Sequence, residues 1–366
     1  MARGPQEYRQ YRRSPRRMAR EQATLKQIAE AVGVSMATAS RALNGKWRDY
    51  RISEETALAV QEAARKLKFS PNRVAQSLRS QRTNSIGVLV PDIGNPFFAA
   101  IAREVTRLAR KRGYAVLLAE SLEQTPAEEE ILQHLLARRI EGLLICPVGA
   151  SLAHLEPLVH GDMPAVQVDR CILDLELTSV TSDHREGARH AMETLIGQGH
   201  TQIGCLQGQP GTLPNEERLA GCREAFKKAK LPFDEEWILG EDFGKDSGLR
   251  AASRLLGERP EVSALFAFSN QIALGALEAA RVLGRTIPDD LSLIAFDESP
   301  YAPFLATPLS TVRQDVAGLG RIAADALFDQ IDSTSRARLK RYRVPTELIV
   351  RASIGPWRKR RESARK

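Results

Sequence analysis

Several polar side chains in this 366-residue chain follow directly on apolar runs that read as β-strands. Asp92, Asn95 and Phe97 come after Ile86–Val90, Asp169 and Arg170 after Ala165–Val168, Ser269 and Asn270 after Ala264–Phe268, and Asp297 after Leu291–Phe296. In an open α/β sheet, ligands bind in the crevice beyond the carboxyl ends of the strands, so topology would gather groups that the sequence scatters. Carboxylates accept hydrogen bonds from hydroxyls, and arginine and asparagine donate them. Beside phenyl rings, such a set suits the holding of a small polyol or sugar; taken singly, each residue is also an ordinary cap or turn residue. Bond-making machinery is not in view. The chain has no Walker A motif, no Gly-x-Gly-x-x-Gly after a strand and no nucleophile elbow. His134, His154, His160, His184, His190 and His200 lack zinc-protease spacing, and His184 and His190 read as helix-surface residues. Cys146, Cys171, Cys205 and Cys222 are too widely spaced for a zinc or redox motif, and Cys146 and Cys205 read as buried strand thiols of a reducing compartment. No enzyme, cofactor or metal site is expected.

A second chemistry sits near the start. A duplex major groove accepts one α-helix whose side chains distinguish bases by their edges. The run Gly33-Val34-Ser35-Met36-Ala37-Thr38-Ala39-Ser40-Arg41 offers small residues for close approach, with Ser35, Met36, Ala37, Ser40 and Arg41 on the DNA side and Thr38 available for packing or contact. Met36 and Ala37 are suited to a thymine methyl. Lys26, Lys46, Arg48 and Arg51 are placed to meet phosphates, which position a reader without specifying sequence. On pattern alone, a small helical dimerisation or adaptor domain also fits.

The elements that must carry these groups can be read from periodicity. Residues 24–69 read as three short helices, with Gly33 ending the first, Ser35 capping the second over 36–43, Asn44-Gly45 turning the chain, and Ser53 capping the third. Residues 70–83 form a separate two-turn helix, too short to be stable without DNA or a partner. From Ser85 onward, strands alternate with helices, the pattern of parallel sheets covered on both faces, in numbers that predict two subdomains. Tyr342–Arg351 reads as a final edge strand. Charge is unevenly spread over a net +8: residues 1–82 carry 18 Lys or Arg against 7 Asp or Glu, the end of the chain is again basic, and the middle is acidic. Only part of the chain is therefore expected to meet a polyanion. The arginine-rich start lacks the apolar core of a secretory signal and no run is long enough to span a membrane, so a cytoplasmic protein is expected.

The stretch Thr24-Leu-Lys-Gln-Ile-Ala-Glu-Ala-Val-Gly-Val-Ser-Met-Ala-Thr-Ala-Ser-Arg-Ala-Leu43, followed by Asn44-Gly45, closely resembles the head of the lactose/galactose/purine repressor family of bacterial transcriptional regulators. Phe69-Ser-Pro-Asn-Arg-Val-Ala-Gln-Ser-Leu78 resembles the family's hinge helix, and Ile86-Gly-Val-Leu-Val-Pro-Asp-Ile-Gly-Asn-Pro-Phe-Phe98 the start of its effector domain. The likeness continues through nearly all of residues 24–350.

The resemblance implies an α/β architecture: an all-helical helix-turn-helix head in front of a two-subdomain, Rossmann-like body of the periplasmic-binding-protein type. The implied division is a disordered basic tail (1–22), the head (23–69), the hinge helix (70–83), an effector-binding and dimerisation domain (84–355) and a second basic tail (356–366). Within the body, one subdomain would hold 84–181 and 313–340, the other 182–312 and 341–355. The implied function is a transcriptional regulator, a repressor, that binds a near-palindromic operator as a homodimer and responds to a small carbohydrate-like effector. It would be cytoplasmic and nucleoid-associated when bound, with no membrane contact and no added tetramer-forming coiled coil. DNA contacts would fall on Lys26, Ser35, Met36, Ala37, Thr38, Ser40, Arg41, Asn44 and Arg51 in the head. In the hinge they would fall on Asn72, Arg73, Gln76, Leu78 and Arg79, with Leu78 wedging a minor-groove step. Effector contacts would fall on Asp92, Asn95, Phe97, Phe98, Asp169, Arg218, Phe243, Ser269, Asn270, Asp297 and Gln314. This chain departs from the family where Ala39 and Ala42 stand for common valines, Ser269-Asn270 for Asn-Asp, and Asp183-His184 for Asp-Asn.

Overall fold

The computed structural model describes residues 23–69, 82–149, 153–333 and 338–357, and the chain divides into two compact units at Arg82/Thr83. The tails and most of the expected hinge helix, with Asn72, Arg73, Gln76, Leu78 and Arg79, lie outside the described residues.

In the first unit, each helix starts where its cap dictates. Helix α1 (Leu25–Val32) opens on a capping box: Gln27 N–H donates to Thr24 Oγ1 at 3.3 Å and Thr24 N–H to Gln27 Oε1 at 2.8 Å. Gly33 closes it in the left-handed region, at φ 70°. Ser35 caps α2 (Met36–Leu43) and Ser53 caps α3 (Glu54–Lys66), whose acidic first turn and basic last turn both suit the helix dipole. Ile28, Ala29, Ala39, Ala42, Ala57, Val60 and Ala64 form the core, closed by Trp47, Leu43 and Phe69 at its margin. Ala39 and Ala42 are fully buried in this core.

The second unit holds two six-stranded sheets. Sheet 1 contains β1 (Ser85–Val90), β2 (Ala115–Glu120), β3 (Leu143–Ile145), β4 (Ala165–Val168) and β5 (Thr178–Ser182). In sheet 2 lie β6 (Ile203–Leu206), β7 (Ile238–Leu239), β8 (Ala264–Ala267), β9 (Ser292–Phe296) and β10 (Ser310–Gln314). The last two strands part company: β11 (Arg341–Val344) completes sheet 1, in the order β11-β5-β4-β3-β1-β2, and β12 (Thr346–Ile349) completes sheet 2, in the order β12-β10-β9-β8-β6-β7. Pairing is parallel throughout except β10 with β12. Around sheet 1 run α4 (Pro96–Lys111), α5 (Thr125–Ala137), the short α6 (Glu156–His160) and α11 (Val316–Asp332), with α4 packed on α11. Around sheet 2, α7 (His184–Gly197) pairs with α8 (Leu213–Ala229), and α9 (Lys245–Glu258) with α10 (Asn270–Val282).

These strands correct the expected subdomain limits. Arg313 and Gln314 belong to sheet 2, not to the first subdomain, and Arg341–Val344 belong to sheet 1, not to the second. The expected single strand Tyr342–Arg351 is broken at Pro345, where a missing N–H and a fixed φ interrupt one ladder and let the chain enter the other sheet. The chain thus crosses between lobes three times, after Ser182, after Gln314 and after Val344. Periodicity assigned no element to β5, β10 or α11. All five residues of β5 are buried, yet four are Thr or Ser, so the strand lacks the apolar signature of its neighbours.

Where α9 crosses α10, Gly275 lets backbones touch: a Cβ there would lie 2.2 Å from Lys245 O and 2.4 Å from Leu249 N. Gly275→Ala is expected to lower stability by about 1–3 kcal/mol through overpacking against main chain that cannot turn aside. Gly257→Ala, where a Cβ meets nothing within 4 Å, serves as control. Urea titration measures both; equal midpoints would remove the close-approach argument.

Candidate functional site

Two surfaces carry the expected chemistry. On the head, α2 turns Ala39 and Ala42 inward and leaves Ser35, Met36, Ala37, Arg41 and Asn44 exposed, with Met36 55% accessible. Thr38 and Ser40 are half-buried. The Thr38 hydroxyl lies 2.9 Å from Ser35 Oγ, and Asn44 Nδ2 donates to Ser40 O at 2.8 Å, so both are held by the helix ends they help to close. The Arg41 guanidinium stacks over Tyr50, 3.9 Å from the ring centroid, which fixes the direction of a cation on this face. Lys26, Lys46, Arg48 and Arg51 are all exposed, Lys26 with a loose pairing to Glu30 at 3.7 Å. An exposed apolar Met36 among small polar groups and cations can approach base edges and phosphates together.

In the body, the polar groups do converge. Asn95, Phe97, Phe98, Asp169, Arg170, Pro214, Arg218, Phe243, Ser269, Asp297 and Gln314 line one narrow cavity between the lobes, partly open to solvent and with about 20 Å³ of free space, roughly the room of one water. Asp169 ends β4 and Asp297 ends β9, both in the left-handed region at φ 62° and 74°. Non-glycine residues rarely hold that backbone, and its recurrence at two buried carboxylates marks strain kept at a site. Ser269 caps α10 through Ile272 N–H at 3.0 Å and donates to Phe243 O at 2.9 Å, which holds the ring-bearing loop against the cavity. Asn95 caps α4 through Phe97 N–H, and its Oδ1 also accepts from Asn270 Nδ2 at 3.2 Å, a bond that joins the lobes.

Arg218 is the centre of this arrangement. It is 2% exposed, donates to Phe268 O and to His184 Nδ1 (3.2 Å), and lies 3.7 Å above the Phe296 ring. Burial lowers its pKa, and Asp297 and Asp169 oppose that shift. Gln314 donates to Asp297, and the Asn270 N–H does the same. Burial raises the pKa of Asp297, and raises that of Asp169 to about 6 against the attraction of Arg218. Arg170 is gripped by both carboxylate oxygens of Glu123 and stacks on Phe243, 4.6 Å from its centroid. Among the described residues, six buried side-chain atoms lack a hydrogen-bond partner: Asp169 Oδ1, Arg218 Nε and Gln314 Oε1 on residues that line the cavity, and Asn270 Oδ1, Ser182 Oγ and Glu217 Oε2 outside its lining. Buried polar atoms are nearly always satisfied, so three orphans on residues that line one cavity point to a ligand that satisfies them.

Three expectations change. Asn270 is buried but does not line the cavity; its side-chain amide is turned to Asn95 Oδ1, 3.2 Å away. Asp92 does not line the cavity: its carboxylate accepts from Gly94 N–H at 2.7 Å in a local turn. His184 is not a helix-surface residue; it is fully buried, because the unrecognised strand β5 ends just before it and places it against Arg218 and Thr181, whereas His190 is exposed as expected. Recognising β5 would have exposed His184 as a strand-end group of the same kind as Asp169. Pro214 and Glu123 had no signal of their own, and Arg170 was visible only as the neighbour of Asp169. All four cysteines are free and buried, and no group of residues that could hold a metal occurs among the described residues. Nor is any described helix long and apolar enough to cross a membrane.

A capped helix-turn-helix unit joined to a two-lobed body with a polar cleft defines a DNA-binding transcriptional regulator. Residues 24–72 match the model of bacterial regulatory proteins of the lacI family, and residues 192–354 match a periplasmic binding protein-like domain. The ribose operon repressor of Halalkalibacterium halodurans is 34% identical over 328 residues, 90% of this chain and 96% of that protein. Among solved structures, the transcriptional regulator CelR–cellobiose complex is 30% identical with a TM-score of 0.69, covering 91% of this chain and 100% of that one. The lac repressor dimer bound to operator and the anti-inducer ONPF is 26% identical with a TM-score of 0.79, covering 92% and 100%. The chain belongs to the LacI family of bacterial regulatory proteins, and it is a regulator, not an enzyme.

The raised pKa of Asp169 has a stability consequence. Folded Asp169 binds its proton more tightly than the unfolded residue at 3.8, so stability from this group is greatest below pH 4 and is lost as pH rises through about 6. The gap from 3.8 to about 6 corresponds to about 3 kcal/mol. Asp169→Asn is therefore expected to be more stable than wild type at pH 7.5, with the difference shrinking toward pH 4.5. Denaturant midpoints across that range test this, and a difference that grows on acidification would contradict it.

Proposed function

We propose that the cleft binds a small, neutral, polyhydroxylated effector and that its occupancy controls the grip of paired heads on a near-palindromic operator. The observation that carries the effector half is the balance among the orphaned atoms of the cavity lining: two acceptors, on Asp169 and Gln314, against one donor, Arg218 Nε. A sugar supplies hydroxyl donors to such a set, whereas a phosphate or carboxylate supplies acceptors. The other guanidinium groups are already engaged, Arg170 by Glu123 and Arg218 by Phe268 O and His184, which further disfavours an anion. Phe97, Phe98 and Phe243 supply the apolar wall for a sugar ring. The cellobiose carried by one relative and the ribose operon governed by another are in keeping with a carbohydrate.

On the DNA side, Ser35, Met36, Ala37, Ser40 and Arg41 read the major groove, helped by Thr38 and Asn44. Lys26, Lys46, Arg48 and Arg51 hold phosphates. The segment 70–83, with Asn72, Arg73, Gln76 and Arg79 at the backbone and Leu78 as a minor-groove wedge, couples head to body. The protein acts as a homodimer in the cytoplasm, located on the nucleoid when bound. A ligand shifts the operator equilibrium only if open and closed lobes bind it unequally.

Two measurements test this reading. Thermal shift and calorimetry with neutral sugars and with sugar phosphates and acids should give binding only to the neutral set. At a hundredfold excess over Kd such a ligand adds about 2.7 kcal/mol of stability. Binding of anions in preference to neutral sugars would overturn the effector class. For the head, an operator obtained by selection from random duplexes should bind Met36→Glu roughly ten- to a hundredfold more weakly, since an acid there repels phosphate. The exposed first turn tolerates an acid, so the melting temperature should not fall. Unchanged operator affinity would remove α2 from the groove.

A further inference from the structure

His184 occupies the first of the three crossings between lobes, with its ring fully buried. Each ring nitrogen has a partner from a different lobe. Arg218 NH2, on α8 of the second lobe, lies 3.2 Å from Nδ1, and Thr181 Oγ1, on β5 of the first lobe, lies 3.1 Å from Nε2. A guanidinium only donates, so Nδ1 must accept and be unprotonated. Thr181 Oγ1 is 2.9 Å from the carbonyl oxygen of Asp169, which only accepts, so the hydroxyl donates there and receives from His184. The direction of every bond is then determined: Arg218 N–H to His184 Nδ1, His184 Nε2–H to Thr181 Oγ1, Thr181 O–H to Asp169 O. Burial and the neighbouring Arg218 and Arg343 hold the imidazole neutral by lowering its pKa well below the ordinary value. Phe296 packs on the same ring, 5.5 Å between centroids, and on the Arg218 guanidinium. The Asp169 carboxylate lies 3.7 Å from Nε2, beyond hydrogen-bond reach, which leaves its Oδ1 for the cleft.

We propose that His184, as the neutral Nε2–H tautomer, is a positioning residue that aims Arg218 into the effector cleft and ties it to the strand end bearing Asp169. This rests on the effector reading above and adds the group that determines how well Arg218 is presented. Without an acceptor at Nδ1, the guanidinium loses one of its two anchors and turns within the cleft. The relay also links a C-lobe contact to an N-lobe contact through the crossing about which the lobes would move.

The test separates the two ends of the ring. His184→Asn keeps an acceptor near the position of Nδ1 and loses reach to Thr181; His184→Gln keeps a donor near Nε2 and loses the acceptor for Arg218. In the unliganded wild type at pH 7.5, 15N histidine spectra should show His184 as Nε2–H with Nδ1 unprotonated. The other tautomer, or an imidazolium, overturns the proposal whether or not any sugar binds. With D-ribose and cellobiose as probes, His184→Asn should bind within a few fold of wild type. His184→Gln should bind roughly ten- to a hundredfold more weakly, the loss of a hydrogen bond from a charged donor. Equal losses in the two variants, tracking equal drops in melting temperature, would mean a merely structural ring. If neither probe binds wild type, these two sugars are excluded as effectors while the spectrum still decides the relay.

Discussion

A guanidinium buried between two lobes is the constraint around which the body is arranged. Taking Arg218 out of water is costly unless acceptors surround it. The fold supplies them from elements far apart in the chain: the Phe268 carbonyl beyond β8, the His184 ring after β5, and the field of Asp169 and Asp297 at the ends of β4 and β9. Its neighbour Glu217 reaches the other way and pairs with Arg343 of β11, across the third crossing. Gln314, at the second crossing, holds Asp297. A polar group at each of the three passages between lobes, His184, Gln314 and Arg343, is therefore tied to Arg218, to Asp297 or to the Glu217 beside Arg218.

The same arrangement explains why the cleft is held in a costly state. Two carboxylates are kept buried on left-handed backbone, with raised pKa values, and three polar atoms of the lining remain unsatisfied. None of this helps the lobes to fold. Strain and unmet hydrogen bonding at a cavity become useful only when an incoming molecule relieves them, since relief in one lobe arrangement and not the other is what gives a ligand leverage.

Much of this was legible in the residues. The head announced itself through Gly33, Ser35 and Ser53, because caps and breakers act locally and owe little to tertiary context. Strand ends gave most of the cleft, since the rule that ligands gather there needs only the strand order. What escaped was polar or divided. Thr178–Ser182 is a buried strand in which four of the five residues carry hydroxyls, so hydropathy could not find it, and His184 was misread with it. Val316–Asp332 carries two glycines near its start, which blurs a helical stripe. Asp92 was misplaced because an Asx turn and a ligand contact look alike from the sequence. Pro345 hid a change of sheet inside what reads as one strand.

That change of sheet has a further consequence for how the molecule comes into being. Strand β11 lies at the outer edge of sheet 1, beside β5, some 160 positions earlier in the chain, as in the pairing of Tyr342 with Val180. On the ribosome, the first lobe must wait with an uncovered β5 margin while the whole second lobe is made. An open strand edge is a template for wrong pairings. The hydroxyl-rich, weakly apolar composition of β5 makes that waiting edge a poor nucleus for aggregation, so the feature that conceals the strand from pattern reading also protects the nascent chain.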